Sequence, residues 1–125
     1  MGKNFVLISG IMGALAVGIG AFGAHALKPM LEANQRLDTF DTAVKYHFYH
    51  TLSLLAIGLL CIHRPHPLLV WAGYLQVVGV VVFSGSLYVL CLSGLRWLGA
   101  ITPLGGVALI AGWIALAIYA AKQNF

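Results

Sequence analysis

The sequence predicts an all-α membrane protein: a bundle of four transmembrane helices with a short amphipathic segment between the first and second. Three observations lead there. Hydrophobic residues make up 61% of the 125-residue chain and charged residues only 8%, against about 25% charged in a soluble domain. Such a chain cannot cover a water-facing surface. Its mean hydropathy is +0.94. Finally, the seven basic and three acidic residues fall between long charge-free runs. The same composition excludes disorder. Two cysteines make no disulfide framework, and the glycines lack the three-residue period of collagen.

The first run, Asn4 to Leu27, has 24 residues without Lys, Arg, Asp or Glu. As a helix it would be about 36 Å long, enough for a hydrocarbon core of about 30 Å. Its apolar stretch exceeds the core of a cleavable signal peptide, although Ala24-His25-Ala26 loosely resembles a cleavage site. The segment Lys28–Lys45 holds all three acids. Pro29 discourages continuation of the first helix. Asp38 or Thr39 can cap the next, in which Leu37, Phe40 and Val44 recur at helical spacing. The part before the cap suits a short helix lying on the membrane. The second span, between Lys45 and Arg64, is the shortest and most polar, with His47, His50, Thr51 and Ser53. The third follows Pro65 and Pro67, and the fourth fills Trp97–Ala121, kinked near Thr102-Pro103 and Gly105-Gly106. One integral membrane domain over 1–125 is expected, with helices at about 5–27, 39–62, 68–95 and 97–121.

Four spans place both termini on one side of the membrane. Trp71, Tyr74 and Tyr119 suit an interfacial belt on that side and Trp97 the opposite one, while Trp113 lies deeper, against lipid or another helix. Lys3, Arg64 and Lys122 on the terminal side face Lys28, Arg36, Lys45 and Arg96 on the other, so charge does not set the orientation. The net charge of +4 suits anionic headgroups, and no basic cluster of a nucleic-acid binder is present. Cys61 and Cys91 should lie nearly a bilayer apart, far beyond disulfide reach.

Small residues recur four apart in two rows of the first helix, Gly10-Ala14-Gly18 and Ala16-Gly20-Ala24, and again at Ala108 and Gly112. Such rows let helices pack closely within a monomer, or join a homo-oligomer or larger membrane complex. Polar groups from all four spans converge in the half of the bilayer away from the termini: His25, Tyr46, His47, His50, Ser84, Ser86, Tyr88 and Thr102. Polar residues are expensive there and mark candidate sites. Three readings are open. The cluster is a structural network centred on a His50–Tyr88 contact; or it binds a lipid headgroup, quinone or other small polar molecule; or it holds metal or haem. His25, His47 and His50 offer few ligands, so no metal or cofactor is expected. His63 and His66 read as solvated surface groups. No span carries the carboxylate a proton-coupled antiporter needs, and no nucleophile–base–acid arrangement can be assembled.

Four motifs, GAFGAHALK at Gly20–Lys28, FDTAVKYHFYHTLSLL at Phe40–Leu55, FSGSLYVL at Phe83–Leu90 and LGAITPLGG at Leu98–Gly106, resemble the bacterial membrane family called domain of unknown function 423. The transmembrane protein 256 family comprises its eukaryotic relatives. The resemblance covers essentially the whole chain. It implies a four-helix, multi-pass protein of the bacterial inner (plasma) membrane and supplies no biochemical activity. Carried over by motif, its residues here are His25, Tyr46, His50, Ser84, Gly85, Ser86, Tyr88, Thr102, Pro103, Gly105 and Gly106. His47 stands where glutamine is common in the family, which argues further against a two-histidine metal site. The expected function is a non-enzymatic structural, assembly or modulatory membrane component. The alternative is a carrier or enzyme that binds a lipid- or quinone-like molecule at the cluster.

Overall fold

A computed structural model describes residues 1–125. It contains only helices: α1 Gly2–Ala24, α2 Lys28–Ala33, α3 Leu37–His63, α4 Pro67–Ser93, a 3-10 segment Arg96–Ala100, and α5 Thr102–Ala121. Three stretches, Gly2–Ala24, Pro67–Ser93 and Arg96–Ala121, are long and apolar enough to cross a membrane. α3 equals α4 in length but is more polar.

Burial follows a coiled-coil spacing. On α3, Phe40, Ala43, His47, His50, Leu54, Ile57 and Cys61 are buried, alternately three and four residues apart. Gly2, Phe5, Ser9, Met12 and Ala16 keep the same alternation on α1, and Thr102, Gly105, Leu109 and Gly112 on α5. This is the 3.5-residue repeat of left-handed helix packing. α4 lies between α3 and α5 and buries a wider face. The main core joins Phe5, Leu54, Ile57, Leu69 and Ala72 to Leu109 and Tyr119.

Glycines set the closest approaches. A Cβ at Gly105 would lie 2.8 Å from the Phe83 Cα, so α5 rides on the α4 backbone there. At the other end, a Cβ at Gly2 would lie 2.8 Å from the Gly58 carbonyl oxygen. Gly10 and Gly18 have open space around them, so the row Gly10-Ala14-Gly18 points away from the bundle.

Several helix ends differ from expectation. α1 stops at Ala24 and not Leu27, and Pro29 occupies the first turn of α2, where its missing N–H costs nothing. Leu31 of α2 is fully buried against Phe40 and Cys91. α2 closes with Arg36 N–H donating to the Leu31 carbonyl and Gln35 N–H to that of Glu32. This is a Schellman turn, with Gln35 at φ 55° in the left-handed position glycine usually takes. Neither Asp38 nor Thr39 caps α3, which begins at Leu37 and places Asp38 in its first turn. His66 is no free surface group: its Nδ1 accepts from the Leu68 N–H at 3.0 Å and caps α4. α4 ends at Ser93 because Gly94 turns left-handed, at φ 75°. The expected kink inside the last helix is instead a break, with Pro103 in the first turn of α5 and a 3-10 segment before it.

Both termini and the α3–α4 turn share one end of the bundle. The Tyr74 hydroxyl reaches Met1 Sδ at 3.7 Å, Tyr119 donates to the Arg64 carbonyl at 3.2 Å, and the Arg64 guanidinium lies 5.2 Å from the centre of the Phe125 ring.

Candidate functional site

The register of α3 against α4 places the polar side chains. The Ser84 hydroxyl of α4 donates to the Ala43 carbonyl of α3 at 2.8 Å, and Cys91 Sγ faces the Arg36 carbonyl at 3.8 Å. Tyr88 therefore lies opposite the first turn of α3, and its side chain leans back toward its own N-terminus. It meets His47, with 2.9 Å between the hydroxyl and Nδ1. The backbone of Met12 on α1 also approaches the His47 imidazole. The expected His50–Tyr88 contact is thus corrected by one helical turn. Counting inward from Lys45 and Arg96 assumed that these charges lie at matching depths, whereas the register offsets them. His50 lies about 4.5 Å deeper than His47.

His50 has other partners. Its Nε2 accepts the Trp113 indole N–H at 3.0 Å, and its Nδ1 lies 2.7 Å from the Tyr46 carbonyl. An indole only donates and a carbonyl only accepts, so these contacts assign the neutral Nδ1–H tautomer. Both imidazoles are buried, while Tyr46 is 41% exposed. The Tyr46 ring stacks on Phe83, with centroids 4.7 Å apart. Ser86 and Thr102 join α4 to α5 at 2.6 Å, and the pair also faces the carbonyls of Phe83 and Leu98 at 2.9 and 3.2 Å.

Of the expected residues, Tyr46, His50, Ser84, Ser86, Tyr88 and Thr102 thus lie along the seams of α3, α4 and α5, not around one pocket. His25 stands apart, exposed in the turn after α1. No three His, Cys, Asp or Glu side chains come together in a metal-holding group. Cys61 and Cys91 are free thiols.

Sequence reasoning missed two members. Trp113 was read by depth alone, and its indole N–H, which must find a partner when buried, was the available signal. Gln76 was not singled out although it is the one amide in the interior of an apolar span. It is fully buried on α4; its Nε2 faces the Leu109 carbonyl at 3.5 Å, and its Oε1 has no partner. The Ser53 hydroxyl is likewise buried and unpartnered.

Beside His50 a groove of about 540 Å³ runs between α3 and α5, lined by Tyr46, Tyr49, His50, Gly106, Ile110 and Trp113. It can hold a flat apolar molecule against aromatic rings, and no carboxylate lines it.

Helices of membrane length, a lipid-compatible exterior and a core crossed by few polar side chains define an all-helical membrane protein. Comparison of sequences is more specific. Residues 19–106 match the model of a family described as protein of unknown function, DUF423, and the chain belongs to that family. A UPF0382 membrane protein of Staphylococcus saprophyticus is 45% identical over 116 residues, 93% of this chain and 95% of the relative. The UPF0382 membrane protein YwdK of Bacillus subtilis is 43% identical, with 96% of this chain and 98% of the relative covered. The UPF0382 inner membrane protein YgdD of Escherichia coli is 37% identical, with 98% and 93% covered. No solved structure matches the chain.

Proposed function

We propose that the protein is a single-domain, four-span component of the bacterial inner membrane with a structural or assembly role and no catalytic chemistry of its own. The observation that carries this reading is that the polar side chains of the expected cluster on α3, α4 and α5 close on partners inside the chain, although Gln76 Oε1 and the Ser53 hydroxyl outside that cluster do not. His47 is bonded to Tyr88, His50 to Trp113 and Tyr46, Ser84 to Ala43, and Ser86 to Thr102. Buried polar groups that are fully bonded order a fold, whereas a ligand site keeps some free. The inner membrane is suggested by the name of the Escherichia coli relative.

α3 is the fourth span in this reading. Its 27 residues extend about 40 Å, and it packs beside both α1 and α4, so it occupies the same slab as its neighbours. Reporter fusions after Lys3 and at Phe125 should report the same compartment; opposite compartments would remove the fourth span. An assembly role would use the outward row Gly10-Ala14-Gly18, where cysteine cross-linking in membranes should trap a second chain.

The network itself is tested by a double-mutant cycle. His47→Ala and Tyr88→Phe should be non-additive in a stability measurement, with a coupling of about 0.6 kcal/mol, the average for hydrogen bonds inside membranes. Additive effects would mean that the pair does not order the bundle. The groove beside His50 supports a second reading, the binding of a lipid- or quinone-like molecule. That reading requires a small molecule that co-purifies with the wild type and is lost on Trp113→Ala.

A further inference from the structure

A second cavity lies away from the His–Tyr–Trp seams, at the end of the bundle where α1 turns into α2 and α3. It has a volume of about 360 Å³, and Gly20, Gly23, Lys28, Asp38, Asp41 and Val44 are among its lining residues. Three of the charged residues of this end, Lys28, Asp38 and Asp41, line it, which puts the cavity mouth at the level of lipid headgroups in the four-span reading proposed above, on which this inference rests. The rim carries both signs. Asp41 is committed to Lys45, 2.8 Å away. Asp38 has no cation within ion-pair distance, and Lys28 is held only loosely, 3.9 Å from an exposed Glu32. One carboxylate and one ammonium are thus available across a single opening.

The floor is apolar and made of close helix contacts. Gly23 yields its side-chain space to the Phe40 ring, and at Gly20 a Cβ would lie 3.2 Å from Val44 Cγ1. Gly20 and Val44, the lining residues furthest along α1 and α3 from Lys28 and Asp38, form the apolar end of the cavity.

We propose that this cavity is a binding site for a phospholipid with a zwitterionic, primary-ammonium headgroup, such as phosphatidylethanolamine. The ammonium pairs with Asp38, the phosphate with Lys28, and an acyl chain follows the seam at Gly20 and Val44. The rim chemistry selects among lipids. A primary ammonium donates three hydrogen bonds, which carboxylates accept. A quaternary choline headgroup is recognised by faces of aromatic rings, and the aromatic ring lining this cavity, Phe40, is 96% buried in its floor. A purely anionic headgroup would meet Asp38 and Asp41. The apolar floor favours a lipid over free phosphoethanolamine.

Native mass spectrometry of the full chain in mild detergent, offered equal amounts of phosphatidylethanolamine, phosphatidylglycerol and phosphatidylcholine, tests this. The wild type should retain phosphatidylethanolamine at least fivefold over the other two. Asp38→Asn should abolish the preference, and Lys28→Gln should weaken phosphatidylethanolamine retention severalfold. Lys122→Gln, at the opposite end of the bundle and outside the cavity, should change nothing. Asp38 also sits in the first turn of α3, so thermal unfolding of each variant separates loss of the site from loss of the fold; if Asp38→Asn does not fold, Lys28→Gln decides. Equal retention of the three lipids by the wild type, or wild-type preference in a folded Asp38→Asn or Lys28→Gln protein, overturns the proposal. Competition by soluble phosphoethanolamine at equal concentration overturns the lipid as occupant.

Discussion

The half of the bundle nearest the α1–α3 connection and the layer around Gln76 both bury polar side chains, and they treat them differently. In the first, Ser84, Ser86, Tyr88 and Thr102 each reach a partner on a neighbouring helix. In the second, the Gln76 Oε1 and the Ser53 hydroxyl have none. The difference follows from what each side chain can reach. In the first region the hydroxyls and imidazoles at the helix seams find a carbonyl or another side chain within one turn, and nothing in the structure explains why the Ser53 hydroxyl does not. The Gln76 amide has two ends to satisfy, and it points into a core of Leu and Ile side chains with only the Leu109 carbonyl in reach. Shared burial therefore does not mean shared stabilisation.

The largest effect expected from testing this contrast comes from the two glycines that let α5 approach α4. Gly105, in the bonded half, rests on the Phe83 backbone, which cannot move aside. A Cβ at Gly112 would first meet the Gln76 Nε2 at 2.6 Å, the free end of a flexible side chain. Gly105→Ala should cost about 3 kcal/mol in reversible unfolding from detergent micelles, the upper range for overpacking. Gly112→Ala should cost about 1 kcal/mol or less by the same mechanism. Equal costs would mean that both contacts are limited by backbone.

A smaller effect, of opposite sign, is expected at the amide itself. Gln76→Leu removes an unpaired buried carbonyl of similar size and should raise stability by about 1 kcal/mol. Destabilisation would show that Gln76 has a partner beyond the protein's own side chains and backbone, such as a buried water. Smallest is the effect at Gln35. Left-handed backbone costs a non-glycine residue about 1–2 kcal/mol, and glycine's freedom in the unfolded chain offsets about half of that. Gln35→Gly should therefore stabilise by about 0.5 kcal/mol, seen as a small upward shift in melting temperature.

The charge-free runs were enough to locate the long helices, because charges are tolerated only where the chain leaves the apolar slab. Helix ends were less legible. Pro29 was read as discouraging continuation of the first helix, and α1 does end before it; Pro103 was read as a kink, yet it starts a helix, as Pro29 does, since a first-turn proline loses no hydrogen bond. The polar residues were legible as a set, because their cost in lipid makes each conspicuous. Their pairing was not. Pairing depends on inter-helix register, and the Ala43–Ser84 alignment is fixed by packing across two helices, which no local pattern encodes. A shift of one turn moved Tyr88 from His50 to His47, leaving His50 to Trp113. Gln76 escaped notice because one amide does not disturb the average of an otherwise apolar run.

Each long helix packs chiefly against the next one in the chain, α1 on α3, α3 on α4 and α4 on α5. That order matters during synthesis. When α3 leaves the ribosome, the Phe5 and Met12 face of α1 is already available to it, but the His47 imidazole has no tyrosine until Tyr88 is made forty-one residues later. α3 is the most polar of the long helices, so it is the one least able to enter lipid alone. In the four-span reading proposed above, its commitment to the bilayer should wait for α4, and a ribosome paused before Ser84 would leave α3 exposed to slippage back into water. Such a chain enters the membrane best as hairpins, with the weak helix carried in by the strong ones on either side.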